Sequence, residues 1–160
     1  MTKPLWAPWR LDYIKSADEQ DGCFLCDASV LADEEALRVR LGERALVVLN
    51  KYPYASGHLL VAPRRHVGGF DELEDGEALE IHRLAGAGMH TLEDTYGAQG
   101  FNLGWNIGRV AGAGLPGHVH LHVVPRWNGD TNYMPVLADV KVLPEHLQES
   151  RRKLAESWRV

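Results

Sequence analysis

Two cysteines in 160 residues, Cys23 and Cys26, are too few for a disulfide framework. No apolar run approaches the length that spans a bilayer, so no membrane partner is expected. Basic residues are outnumbered, 17 Lys and Arg against 22 Asp and Glu, and the formal net charge is −5. That balance excludes a general nucleic-acid binder but leaves room for a small basic pocket. The opening residues Met1-Thr2-Lys3-Pro4-Leu5-Trp6 lack a signal-peptide pattern, so a cytoplasmic home is expected. Repeats and low-complexity tracts are missing as well. The glycine-rich stretch 108–117 has no Lys-Ser/Thr and opens no helix, so it is neither a P-loop nor a dinucleotide fingerprint. What remains, 45% hydrophobic and 24% charged, is the composition of a globular chain long enough for one core, read as a single domain over 1–160.

Alternating patterns predict strands over 36–41 and 45–49, joined by Gly42-Glu43-Arg44. A third strand is expected over 58–62, ended by Pro63, and a fourth over 101–107. Short turns between them point to an antiparallel sheet. From about Asp71 to Tyr96 the period changes. Ala78, Ile81, Ala85, Gly88 and Leu92 recur at helical steps, with Glu77, Glu80, Arg83 and Glu93 off the stripe. Asp71 or Asp75 is expected to cap this helix and Gly97 to end it. Gly86 and Gly88 weaken it, so close packing on the sheet must hold it. A further strand is expected within 136–143, and Pro144 starts a C-terminal helix running to Trp158. The arm 4–14, rich in proline, tryptophan and tyrosine, is expected to pack on the body, with a second subunit or a substrate base as the alternative contact.

The chemistry concentrates in Gly117-His118-Val119-His120-Leu121-His122-Val123-Val124-Pro125. In a strand, His118, His120 and His122 share one face while Val119, Leu121 and Val123 share the other. A core cannot absorb three imidazoles without partners. Imidazole titrates near neutrality, ligates metals and can act as a nucleophile, so the row is a candidate site. The preceding glycines, Gly112, Gly114 and Gly117 among them, let backbone amides approach an anion closely and form a phosphate cradle. Cys23-Phe24-Leu25-Cys26 follows no apolar strand, which disfavours a redox motif; a zinc half-site fits better and needs two further ligands. His82 and His90 are eight apart on the helix and cannot pair on a metal; both are expected at the surface.

With the histidine row, the glycine loop and the segment from Asn50 to Gly57-His58-Leu59-Leu60-Val61-Ala62-Pro63 in view, the chain resembles the histidine-triad (HIT) proteins over roughly residues 20–127. The family motif is His-x-His-x-His followed by two apolar residues, here His118 to Val124. The flanks Leu5-Trp6-x-Pro8-Trp9-Arg10 and Pro125-Arg126-Trp127-Asn128-Gly129-Asp130 resemble the bacterial and archaeal diadenosine-tetraphosphate phosphorylase branch. The resemblance implies an α+β, HIT-like fold: a five-stranded antiparallel sheet, one long helix and a C-terminal helix. It implies a homodimer and action at the α-phosphorus of nucleotides. By that resemblance His120 is the nucleophile that forms a nucleotidyl-histidine, His122 contacts the same phosphate, and His58 supports His120. Asn50 is placed at the sugar or base, and Asn106 near the phosphate. The hydrolase branches often carry Gln four residues before the first triad histidine; here Gly114 stands there. Relatives such as the hexose-1-phosphate uridylyltransferases bind zinc at positions that map to Cys23, Cys26, His66 and His118, a set right for a closed structural zinc site.

The leading function is therefore a hydrolase or transferase of dinucleoside polyphosphates, with magnesium or manganese as a companion of the nucleotide. Two readings compete. A nucleoside phosphoramidase or adenylyl hydrolase would use the same nucleophile on a different bond. A nucleotide-binding sensor would keep the pocket without the chemistry, against which stands the intact triad.

Overall fold

The structure, a computed structural model, describes residues 22–130 and 145–159. The aromatic arm over 4–14 and the strand expected within 136–143 lie outside them. Five antiparallel strands form one sheet: β1 (Arg38–Leu41), β2 (Ala45–Leu49), β3 (Leu59–Pro63), β4 (Gly100–Trp105) and β5 (Leu121–Arg126), in the spatial order β1-β2-β3-β5-β4. Among the described residues three helices accompany them: a single turn α1 (Phe24–Asp27), the long α2 (Asp75–Tyr96) and the C-terminal α3 (Leu147–Glu156). The α+β class and five-stranded sheet expected from the sequence are what the chain adopts.

Strand residues alternate between two cores, as the period of two requires. Val47, Leu49, Leu59, Val61, Leu121 and Val123 pack with Ile81, Ala85 and Leu92 of α2 and Leu154 of α3. Leu46, Val48, Leu60 and Ala62 point the other way and bury Leu25 and Ala28. The helix thus covers one face, while the other face carries α1 and the histidines. Gly88 allows this: a Cβ there would sit 3.0 Å from Leu59 Cδ1, so the missing side chain lets α2 close on β3. Gly86 has open space at the same test and no such reason. Gly97, at φ +62°, ends α2 as expected.

Three local expectations are corrected. First, α2 starts later: residues 70–72 form a separate 3-10 turn, and Glu74, neither Asp71 nor Asp75, is the cap. Glu74 and Glu77 make a reciprocal capping box. Second, the buried stripe runs through Glu77 and leaves Ala78 exposed. Glu77 is 4% exposed. It takes two hydrogen bonds from Arg65, at 3.0 and 2.8 Å, and one from the Glu74 amide at 2.9 Å. A buried carboxylate is tolerated because both of its oxygens accept hydrogen bonds, two of them from a guanidinium. The Arg65 hydrogen bonds hold its pKa below the usual carboxylate range despite burial. Glu77→Ala is expected to lower unfolding free energy by ~2 kcal/mol. Because the folded pKa is depressed, this contribution is full above the usual carboxylate range. It is lost as pH falls from there through the folded value. Thermal melts of both proteins between neutral pH and pH 3 check the size and the convergence.

Third, the triad is not one continuous strand. Strand β5 begins at Leu121, so only His122 lies in the ladder. Leu59, Leu60 and Val61 pair with Val123, His122 and Leu121, and there the β3–β5 pairing stops. Pro63 has no amide to give. The chain before Leu121 instead bonds elsewhere: the Val119 amide donates to the Val67 carbonyl at 2.7 Å, and the His118 ring reaches the Pro63 carbonyl at 2.8 Å.

Candidate active site and metal-ligand cluster

Peeling away from the ladder gives the three histidines three different environments. His118 is wholly buried, His120 is 7% exposed, and His122 is half-buried. The His120 ring makes one assigned bond, Nδ1 to the His118 carbonyl at 2.8 Å. A carbonyl only accepts, so Nδ1 carries the proton and Nε2 keeps its lone pair. Burial pushes the His120 pKa down, which favours this neutral form, while the carbonyl bond works in the opposite direction. The ring centroid of His122 lies 5.0 Å away. A neutral imidazole with a directed, unprotonated Nε2 is poised for nucleophilic attack.

His122 belongs to a second chain of contacts. His58 is fully buried, and its Nδ1 accepts the Tyr54 amide at 3.1 Å. The Asn50 amide nitrogen lies 3.2 Å from the same atom. The His58 proton is therefore on Nε2, which meets His122 Nδ1 at 3.0 Å. Accepting at Nδ1 leaves His122 with a proton on Nε2. Asn106 stands 3.4 Å from that atom, and the tautomer requires its amide to present oxygen there. So His58 supports His122, not His120 as the sequence reading had it. Asn50 also accepts the Tyr52 amide at 2.9 Å, so both ends of its side chain serve the loop.

The glycine-rich loop folds on itself. Residues Arg109–Ala111 form a 3-10 turn, and Gly108 and Gly112 take φ of +80° and +89°. The Gly112 amide donates to the Arg109 carbonyl, and the Ala113 amide to Gly108. Gly114 stays outside these backbone bonds. Gly117 faces the other cluster: a methyl there would lie 3.5 Å from His66 Nε2.

That cluster unites Cys23, Cys26, His66 and His118, the set the family resemblance implied, with one donor atom from each within 4.8 Å of all the others. Cys23 Sγ is 3.1 Å and Cys26 Sγ 3.6 Å from His118 Nδ1; Cys26 Sγ is 3.3 Å from His66 Nδ1. Tetrahedral zinc with ordinary Zn–S and Zn–N bonds spaces sulfur and nitrogen donors ~3.6 Å apart. The His118 Nε2 proton is taken by the Pro63 carbonyl, which turns the Nδ1 lone pair to the sulfurs, the outer bond that metal-ligating histidines use. Burial, followed by the neighbouring Cys23, lifts the Cys26 thiol to about 11. A Cys26 thiol that resists ionisation on its own fits a cation that would ionise it. Burial lowers the His118 pKa and keeps that ring neutral. His82 and His90 are exposed, as expected.

Sequence reasoning missed Tyr54, whose amide sets the His58 tautomer and whose ring stacks on His58 at 4.8 Å. Its position four residues before His58 was the available signal.

Comparison with known proteins gives one consistent answer. Residues 34–129 match the HIT domain model. An AP-4-A phosphorylase of Mycobacterium tuberculosis is 37% identical over 162 residues, covering 96% of this chain and 83% of that protein. A hypothetical histidine triad nucleotide-binding protein from Sulfolobus tokodaii superposes with a TM-score of 0.68 at 27% identity, over 84% of this chain and 91% of its own. A zinc-bound histidine triad family protein from Mycobacterium smegmatis shares the fold, with a TM-score of 0.61 at 22% identity over 91% of each chain.

Proposed function

The chain belongs to the HIT family, and from that footing we propose that it is an enzyme that splits dinucleoside polyphosphates at the α-phosphorus through nucleotidyl-His120. The observation that carries this reading is the His120 tautomer. Its Nδ1 proton is tied to the His118 carbonyl, so Nε2 attacks the α-phosphorus. As the new P–N bond forms, the bond to the departing polyphosphate oxygen breaks. That oxygen leaves as a phosphate anion and accepts a hydrogen bond from the Nε2–H of His122, which the His58 contact holds in place. An oxygen of inorganic phosphate or water then attacks phosphorus and breaks the P–N bond. The Gly114 amide stabilises phosphoryl charge, and Asn106 orients His122. Gly112, with its amide already used, and Gly117 shape the loop, and Asn50 fixes the connection that bears Tyr54. The match to an AP-4-A phosphorylase over 96% of this chain favours phosphate as the second nucleophile.

Cys23, Cys26, His66 and His118 hold structural zinc in this reading, supported by the donor set and spacing. Magnesium or manganese belongs to the substrate's phosphates in this reading. The protein is a single-domain homodimer joined along β4. That strand ends the sheet, while α3 lies against the opposite edge, with Arg151 reaching the Arg38 carbonyl at 3.5 Å. Leu103 and Ile107, each 48% exposed, and Phe70 at 56% lie at the β4 side. Two unoxidised cysteines agree with a cytoplasmic setting, and no described helix is long and apolar enough to cross a membrane.

Incubation with diadenosine tetraphosphate, with and without inorganic phosphate, tests the reading. ADP plus ATP formed only with phosphate establishes a phosphorylase. AMP plus ATP without phosphate establishes a hydrolase. Turnover of adenosine phosphoramidate alone would overturn the substrate class.

A further inference from the structure

Tyr54 lies against the proton-bearing histidines, and half of it faces water. One side of its ring covers His58, with centroids 4.8 Å apart and planes inclined 30°. The same ring lies 6.0 Å from His122, inclined only 18°. Its exposure is 45%. The ring is also held in place. Its own amide is bonded to His58. The connection that bears it closes at Gly57, at φ +78°, where a Cβ would come within 2.5 Å of Leu92 Cδ2. Only glycine allows that backbone and that approach, so the loop is pinned to α2.

Covering two imidazoles explains the inner side of the ring and leaves the outer side unexplained. A flat, rigid, half-exposed aromatic surface beside a nucleotide site is a stacking surface. Its place selects the half of the substrate it serves. The phosphorus under attack must lie at His120 Nε2, and the oxygen that leaves must lie at His122. Among the described residues the Tyr54 ring meets His58 and His122, the histidine at the departing oxygen. We infer that Tyr54 is a stacking shelf for the base of the departing nucleotide, and so a determinant of preference for substrates with a nucleoside at both ends. The inference rests on the α-phosphorus chemistry proposed above.

The test compares two substrates that share the attacked half. Diadenosine tetraphosphate releases a nucleotide; adenosine 5′-tetraphosphate attacked at the same phosphorus releases inorganic triphosphate, which has no base. In Tyr54→Ala the KM ratio of the first substrate to the second is expected to rise about ten-fold, within the range of one lost base stack. Tyr54→Phe and Tyr54→Trp are expected to keep the wild-type ratio, because they keep a ring. Equal KM increases for both substrates would overturn the shelf, as would an equal fall in kcat, which marks a cover over His58 and His122. Equilibrium binding of the two compounds separates this inference from the proposed reaction. If the wild type turns over neither compound, yet Tyr54→Ala selectively weakens diadenosine tetraphosphate, the reaction fails and the shelf stands. Unchanged binding selectivity sinks the shelf whatever the turnover.

Discussion

His120→Ala will fold like the wild type and lose nucleotide turnover by on the order of 10⁵-fold or more, the scale seen when an attacking side chain is deleted. The fold should survive because the ring makes one assigned bond, to a carbonyl one peptide away, and sits beside the sheet's ladder. Loss of a buried imidazole leaves the His118 carbonyl without that donor, a cost of about 1 kcal/mol. Circular dichroism and a thermal melt check the fold; product analysis checks the activity. A second observation makes the result specific. Wild-type protein given diadenosine tetraphosphate without phosphate should gain the mass of one adenylyl group after an alkaline quench, and His120→Ala should not. His122→Ala should still gain it, more slowly, because the attacking nitrogen remains and only the hydrogen bond to the departing oxygen is lost. Full activity in His120→Ala would refute the nucleophile.

The other large effect is expected at the metal-ligand cluster. Protein purified without added metal should carry about one zinc per chain by elemental analysis. Cys23→Ser, or prolonged chelation, should lower the melting temperature by on the order of 10 °C. The loss should be local first. The small core that buries Leu25 and Ala28 is closed by the single turn α1, which cannot hold itself as a helix. Hydrogen exchange should therefore rise over 22–31 and around Val67 while α2 stays protected. Activity should fall too, although the cluster touches no substrate. The His118 ring is in the cluster and the His118 carbonyl orients His120, so one residue belongs to both sites. A metal-free preparation with wild-type exchange over 22–31 would remove the structural role.

Much of this was legible in the sequence because its signals were periodic or chemically rare. The five strands, the long helix and its glycine terminus followed from alternation and helical spacing. The four cluster residues came from the family resemblance, and their types suit zinc. What was not legible depended on partners distant in the chain. Glu77 reads as a solvated face until Arg65 and the Glu74 amide are seen around it. The break between His120 and Leu121 depends on Pro63 in a neighbouring strand. The attachment of His58 to His122 instead of His120 is a register fact: Leu60 pairs with His122, and no local pattern encodes that. The role of Tyr54 needed both its amide and its ring in place.

The two-faced sheet has a consequence for anyone altering this chain. Across β2, β3 and β5 every odd-numbered side chain named in the larger core turns toward α2, and every even-numbered one in the smaller core turns toward the chemistry. The register carries the rule into β4, where Leu103 opposes Val123 and Gly104 opposes His122. It breaks only in β1, at the bulge between Arg38 and Arg40. Residue parity therefore sorts a mutational library before any assay. Substitutions at odd positions should trade in thermal stability at constant chemistry. Those at even positions should retune the reaction, and an insertion of one residue in any central strand would exchange the two roles.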